Sequence, residues 1–369
     1  MYPIWNKDKI VYRLNQEVLR IGSDDDDSKE IVGNIDIWED IIKHLTGKNS
    51  INDIKKYLDN KYNINSESCD AFIKGFYQNN FIDLLDKEYD DEDPFNIYFE
   101  SLRTYYSSSG YGGIKFLEKL QSMKFTILGC GSGGSHLAYF LAQSGVGNIH
   151  IVDPDKVTLN NVNRQALFNM SDIDKFKVDT LKESLKEKNP YVNITSNIKR
   201  MVTVDDVKKE IIYSDFVICA MDEPPYIAQR LVNKACYDLN IPSVYAFSQK
   251  SAGKMFMVYP NETPCADCLL SKYDEEEFIN LVKIFLSSSQ DLITANTASN
   301  TAILTSWIVN KIIDSIAQKN IDGGILYRYD FHTFEEKEFD EFEENDECPT
   351  CSNTCDKLDS ELFNILRIN

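Results

Sequence analysis

At 369 residues, 43% of them hydrophobic, the chain can form two or three domains around sizeable cores. Its 59 acidic against 39 basic side chains give a formal net charge of −20, which repels phosphate backbones and argues against a nucleic-acid partner. The opening MYPIWNKDKI lacks the basic-then-apolar order of a signal peptide, and no run of about 18 apolar residues occurs. No membrane partner is therefore expected, and the cytoplasm is the expected compartment.

Residues 1–86 read as a separate small module. Lys9–Leu14 (KIVYRL) and Glu17–Ile21 (EVLRI) alternate like short strands around an Asn15-Gln16 turn. The acidic run Asp24–Asp27 reads as a solvated loop. Three helical patterns follow. In the first, Ile37, Trp38, Ile41, Ile42 and Leu45 share a face and Gly47 stands where a helix would stop. The second and third, 50–62 and 66–80, open after or with Ser, a good N-cap. Phe81–Leu85 closes the module as a strand. This order suggests a winged-helix-like α+β module. Its usual use is DNA binding, but residues 1–90 carry 18 acidic and 12 basic side chains, so a peptide docking on a sheet edge suits it better. A packing or dimerisation appendage is the plainer alternative.

Residues 87–123 read as an acidic linker and a helix. From Phe125 onward strands and helices alternate: 125–129, 148–153, 192–198, 216–222, 242–247 and 254–260 are the strand candidates. At least four of these should be parallel, giving an α/β fold with a Rossmann-like, mostly parallel sheet and helices on both faces. The amphipathic stretch 298–319 reads as a core helix. After the first strand, Gly129, Gly131 and Gly134 keep the Gly-x-Gly-x-x-Gly spacing, and Asp153 closes the next apolar run 19 residues after Gly134. Such a loop turns tightly and brings backbone amides up to a phosphate. By itself it does not distinguish NAD from ATP.

The next segment does. A dehydrogenase needs only its acidic residue and an ordinary helix there. Here Asp153, Asp155, Asn160, Asn161, Asn163, Arg164 and Gln165 form a polar run followed by Lys177. Clustered amides with Arg and Lys can grip a triphosphate and offset charge as pyrophosphate departs. Asp222 and Glu223 lie just past another strand, where an α/β sheet places a ligand and its Mg2+. Among the nine cysteines, Cys265 and Cys268 (CADC) and Cys348 and Cys351 (CPTC) form two Cys-x-x-Cys knuckles, the ligand set of a closed structural zinc site. Cys355 is a possible substitute. Cys69, Cys130, Cys219 and Cys236 read as buried, and residues 269–295 contain no cysteine, which argues against a thioester relay. The histidines, His44, His136, His150 and His332, are scattered, and none is assigned to catalysis.

The ordered set GCGSGG, DPD, NNVNRQ, Lys177 and Asp222 resembles the ThiF-type, ubiquitin-activating-like adenylyltransferases over roughly residues 97–355. The resemblance implies an adenylation domain at 124–355, with 356–369 as a C-terminal tail. It implies that Gly129, Gly131, Gly133, Gly134 and Asp155 help to form the nucleotide site and that Asp153 binds the ribose. Asn161, Arg164 and Lys177 would contact phosphates, Arg164 reaching in from a second subunit of a homodimer. Gln165 would support that loop, Asp222 would hold Mg2+, and the cysteines would hold the family's zinc. Ser132 replaces a usual glycine, and Arg103 is only a loose match to an upstream family arginine. With a module in front of the glycine loop, the chain looks like the microcin C-type peptide nucleotidyltransferases. These act on a short precursor peptide in a peptide-antibiotic pathway. That implies attack of a peptide C-terminal carboxylate on ATP or another nucleoside triphosphate, with possible progress to a phosphoramidate-linked nucleotide. A sulfur-carrier adenylyltransferase and a non-catalytic leader-peptide scaffold for a cyclodehydratase are the alternatives.

Overall fold

The computed structural model describes residues 1–22, 28–287, 296–318, 323–352 and 360–368. The Asp24–Asp27 run and Cys355 lie outside the described residues. Two compact units divide the chain, Met1–Leu120 and Gln121–Asn369.

In the first unit, β1 (Tyr2–Trp5) precedes β2 (Val11–Arg13), β3 (Val18–Ile21) and β4 (Lys29–Val32). Asn15 accepts from the Glu17 amide at 2.8 Å and closes the β2–β3 turn. Next come α1 (Ile35–His44), α2 (Ile51–Tyr62), α3 (Ser66–Gln78) and β5 (Ile82–Leu85). Strands β2, β3 and β4 form an antiparallel sheet, while β1 pairs with β5. Sequence reasoning missed β1 and β4. Pro3 weakens the strand pattern of β1 yet is tolerated: its carbonyl accepts from the Gly47 amide on the side away from β5, so its missing N–H costs no bond in the β1–β5 ladder. Ile21, Ile41, Leu45, Ile54, Leu58, Cys69, Ile73 and Phe76 make the core. Ser50 and Asp53 exchange a capping box at the start of α2. Residues 87–122, expected as an acidic linker and a helix, carry three helices: α4 (Pro94–Tyr98), α5 (Glu100–Ser108) and α6 (Gly113–Ser122).

The second unit begins with β6 (Lys124–Leu128), α7 (Ser132–Gln143), β7 (Asn148–Val152), α8 (Leu159–Val162), α9 (Lys177–Lys188) and β8 (Asn193–Asn197). It continues with α10 (Val204–Ile211), β9 (Phe216–Cys219), α11 (Ile227–Leu239), β10 (Ser243–Ser248) and β11 (Ala252–Val258). Helices α12 (Ala266–Lys272), α13 (Glu276–Ser287) and α14 (Ala298–Gln318) follow, then β12 (Ile325–Asp330), β13 (Glu336–Glu341) and α15 (Glu361–Ile365). The sheet runs β13-β12-β11-β10-β9-β6-β7-β8. Strands β8, β7, β6, β9 and β10 are parallel, and β11, β12 and β13 extend the sheet antiparallel. The sheet interior is mostly apolar: Phe125, Ile127, Ile149, Ile151, Val217, Ile218 and Val244 are all buried, and the buried Thr126 hydroxyl is paired with that of Ser214. Chain order reverses between β6 and β9, which opens a crevice at the carboxyl ends of the strands. The C-terminal tail is partly structured, since Leu362 and Leu366 of the α15 region pack with Ile279 and Val282.

Candidate nucleotide and metal sites

The turn after β6 depends on glycine at two positions for different reasons. Gly129 has φ +101°, and a Cβ there would lie 2.5 Å from the Ala220 carbonyl oxygen. A Cβ on Gly134 would lie 1.9 Å from the Gly129 carbonyl oxygen, so α7 can sit this close to β6 only without a side chain. A Cβ on Gly131 or Gly133 would meet nothing within 4 Å. Bare backbone therefore faces open space at the start of α7, where helix amides are unpaired.

That space is a cavity of about 490 Å3 at the switch point. Gly129, Gly131, Gly133, Asp153, Asp155, Asn161, Arg164, Gln165, Lys177 and Asp222 all line it. Gly134 does not; it packs the loop from behind. Arg164, expected from a second subunit, lines the cavity of its own chain, and its carbonyl accepts from the Ser132 hydroxyl of the glycine loop at 3.0 Å. Arg103 is placed elsewhere. It is buried in the first unit, 3.6 Å from Asp83 and 5.3 Å from the Tyr89 ring centre, and is not a cavity residue.

Each polar group is held by its neighbours. Asp153 is 5% exposed; one carboxylate oxygen accepts from the Cys130 amide at 2.6 Å and the other from the Asp155 amide at 2.8 Å. Burial pushes its carboxyl above the ordinary range, and the charge of Lys177 pulls the other way. Lys177 opens α9 and reaches Asp155 at 2.9 Å. Asn161 accepts from the Thr158 amide at 3.1 Å. Arg164 donates through Nη1 to the Asn160 carbonyl at 2.5 Å. Asp222 and Glu223 follow β9 as exposed carboxylates at the cavity wall. That donor set fits Mg2+, which takes one or two protein carboxylates and completes its shell with phosphate and water oxygens.

Sequence reasoning missed several wall residues. Lys199, Arg200 and Met201 follow β8, Gln229 lies on α11, Ser248 ends β10, and Asn296, Leu304, Thr305 and Ile308 lie at or on α14. Sheet order alone would have found those after β8 and β10, since strand carboxyl ends converge on the crevice. Gln165 Oε1, Gln229 Oε1 and Ser248 Oγ are buried without a hydrogen-bond partner. In a cavity wall such atoms are acceptors held ready for a ligand.

The two cysteine knuckles meet. Cys265 caps α12 and Cys268 lies one turn along it. The sulfur of Cys265 is 3.8 Å from that of Cys268 and 3.5 Å from that of Cys348, and Cys268 is 3.3 Å from Cys351. All four sulfurs lie within 4.8 Å of one another. Tetrahedral zinc with Zn–S of about 2.3 Å requires sulfur separations of about 3.8 Å, so the cluster fits zinc. Neighbouring thiols pull Cys268 well below its usual range, and burial pushes Cys265 well above it. Between the knuckle cysteines, Asp267 is fully buried and meets Arg230 of α11 at 2.9 Å and Thr350 at 2.8 Å. The other described thiols are buried and raised by that burial: Cys69 to about 11, Cys219 to about 12, and Cys130 and Cys236 as well. None has the lowered pKa of a nucleophile. Among the described residues, no helix is long and apolar enough to cross a membrane.

Residues 107–350 match the ThiF family. The sulfur carrier protein ThiS adenylyltransferase of Escherichia coli strain K12 is 30% identical over 161 residues, 43% of this chain and 63% of that protein. The chain thus spans less than two thirds of that relative's length. Among solved structures, E. coli MccB with ATP aligns at TM-score 0.69 and 21% identity, covering 95% of this chain and 100% of that one. Microcin C7 biosynthetic enzyme MccB in complex with N-formylated MccA aligns with the same figures. At that identity the likeness is one of fold.

Proposed function

The chain belongs to the ThiF family, and from that premise we propose that it is an ATP-dependent nucleotidyltransferase acting on a short precursor peptide. Its acceptor would be the peptide's C-terminal carboxylate. The observation that carries this reading is one cavity holding the glycine loop, Asp153, Asn161, Arg164, Lys177 and Asp222. These residue types are what a triphosphate needs: bare amides, two cations and a carboxylate for its metal.

In the step proposed, a carboxylate oxygen attacks the α-phosphorus of ATP. A C–O–P bond forms, the bond to the β-phosphate oxygen breaks, and its electron pair leaves with pyrophosphate. The nucleophile is already an anion, so no general base is required; the obstacle is repulsion between two anions. Arg164, Lys177 and the amides at the start of α7 would offset that charge, most strongly where it grows on the leaving group. Asp153 would accept from the ribose hydroxyls. Mg2+ at Asp222 would add a fixed positive charge beside the triphosphate. Zinc at Cys265, Cys268, Cys348 and Cys351 would be structural, since four thiolates leave no open position. On this reading Arg164 would serve the cavity of its own chain, which it lines.

Residues 1–86 are the proposed peptide-recognition module and 124–355 the adenylation domain. Strands β2 and β4 are the outer strands of their sheet, and Tyr12 and Val32 on them are 39% and 71% exposed. An extended peptide can add to such an edge through main-chain hydrogen bonds. The fold likeness to MccB runs through this module, and MccB has been crystallised with a peptide, MccA. The second reading, activation of a sulfur-carrier protein, is favoured by the 30% identity to a ThiS adenylyltransferase. It would use a protein tail and ignore a short peptide.

The test is to incubate the protein and Mg2+ with short synthetic peptides that carry a free C-terminal carboxylate and with each nucleoside triphosphate. The expected outcome is a nucleotide-sized mass increase on the peptide with pyrophosphate release. Asp222→Ala should abolish both while the folded protein persists. Tight peptide binding with no adduct and no pyrophosphate would instead identify a scaffold.

A further inference from the structure

We propose that Ser132 is a positioning residue that fixes Arg164 over the phosphate site, within a hydrogen-bonded chain that also ties in Asn296 of the adjoining cavity wall. This rests on the nucleotide reading above. Ser132 is the first residue of α7, where the resemblance in sequence places a glycine. Its Oγ lies 3.0 Å from the Arg164 carbonyl oxygen and 3.1 Å from the Thr301 hydroxyl on α14. A carbonyl can only accept, so the single Ser132 proton goes to Arg164. Ser132 then accepts from Thr301, whose proton has the Thr297 carbonyl at 3.1 Å as its other acceptor. Asn296 Nδ2 donates to Thr301 Oγ1 at 2.7 Å, and Asn296 itself lines the cavity. The chain thus runs Asn296, Thr301, Ser132, Arg164, with each donor facing an acceptor.

The consequence is local and geometric. The Arg164 amide donates to the Asn161 carbonyl at 3.1 Å, so with Ser132 on its carbonyl the peptide groups on both sides of Arg164 are held. Its guanidinium is a planar fork whose value depends on aim, and a displaced backbone turns that fork away from the phosphates. Glycine at position 132 would have no hydroxyl for this purpose. Ser132 is half-buried and itself lines the cavity, and a hydroxyl bond of this kind contributes about 1 kcal/mol, or about fivefold in affinity.

The measurement is the affinity of the full-length protein for ATP and for AMP, each with Mg2+, by calorimetric titration. Ser132→Ala should weaken ATP about fivefold and leave AMP nearly unchanged, because Arg164 serves the outer phosphates. Thr301→Val should weaken ATP in the same direction and by less. In an Arg164→Ala background, Ser132→Ala should have no further effect, as required if Ser132 acts only through Arg164. Equal losses for ATP and AMP, an undiminished effect without Arg164, or wild-type affinity in Ser132→Ala would each overturn the proposal. Wild-type protein that binds no ATP would overturn the nucleotide reading and this inference together. ATP binding lost in Arg164→Ala but retained in Ser132→Ala would overturn this one alone.

Discussion

The second unit holds two clusters of polar atoms that are built on opposite principles. In the cysteine cluster every donor atom faces another: four sulfurs converge within 4.8 Å, and Asp267 beside them is matched by Arg230 and Thr350. In the cavity the groups are held from behind and left open in front. Asp153 uses each oxygen once on backbone amides, and Gln165, Gln229 and Ser248 keep buried oxygens without partners. A closed cluster spends its interactions on the fold, while an open one holds them for a ligand. The same amino-acid chemistry therefore has different expected consequences at the two places.

The largest effect should come from the closed cluster. Stripping the metal with a strong chelator, or Cys268→Ser, should destabilise the protein by on the order of 5 kcal/mol, a fall in Tm of roughly 10–20 °C. Scanning calorimetry together with metal analysis checks this, and an unchanged Tm after metal loss would break the contrast at its root. A smaller, sharper comparison uses one ion pair from each place. Arg230 and Asp267 are 4% and 0% exposed, so Asp267→Ala leaves a buried guanidinium without its counter-charge and should cost about 3–5 kcal/mol of stability. Lys177 is 11% exposed but its partner Asp155 is 52% exposed and stays hydrated when the lysine is removed, so Lys177→Ala should cost less than Asp267→Ala, about 1 kcal/mol of stability. Its ATP affinity should nonetheless fall about tenfold or more, the value of a charge-assisted bond to phosphate. If Lys177→Ala proves the more destabilising variant, the two sites are not of different kinds.

The two clusters were also unequally legible. Both cysteine pairs were visible because thiolate ligands need a fixed residue type at a fixed short spacing, and the fold then has only to bring two such pairs together. The glycine loop was visible for a related reason: at Gly129 and Gly134 any Cβ would collide with backbone. The cavity wall contributed by α14 was not legible. Asn296, Thr305 and Ile308 are ordinary residues at or on an amphipathic helix, and only the packing of α14 against α7 makes them wall residues. Arg164 shows the limit of motif reading. The motif names the residue, but which chain's cavity it enters depends on how the turn after α8 folds. Strand β13 was missed because EKEFDE, at the sheet edge, has almost no apolar pattern to read. Pro3 hid β1 in a similar way, since a proline argues against a strand unless its missing N–H faces away from the ladder.

The smallest predicted effect separates folding from binding at a single carboxylate. Asp153 is buried, and burial raises its pKa in the folded protein above its value in the unfolded chain. The folded state therefore binds this proton more readily than the unfolded state does. Stability from this group is fully present below the unfolded value of about 3.9 and is lost as pH rises through the higher folded value. Nucleotide binding should run the other way. Only the ionised carboxylate keeps lone pairs free for ribose hydroxyls while also accepting from the Cys130 and Asp155 amides. ATP affinity should thus fall as pH drops through a value above the usual carboxylate range, over the interval in which Asp153 ceases to oppose folding. Asp153→Asn cannot titrate, so the difference between wild type and variant removes the nucleotide's own protonation from the comparison. Titrations of both proteins from neutral to acidic pH should converge as the wild-type carboxylate takes up its proton. Parallel curves across that interval would show that Asp153 serves the loop alone and belongs with the closed kind of site.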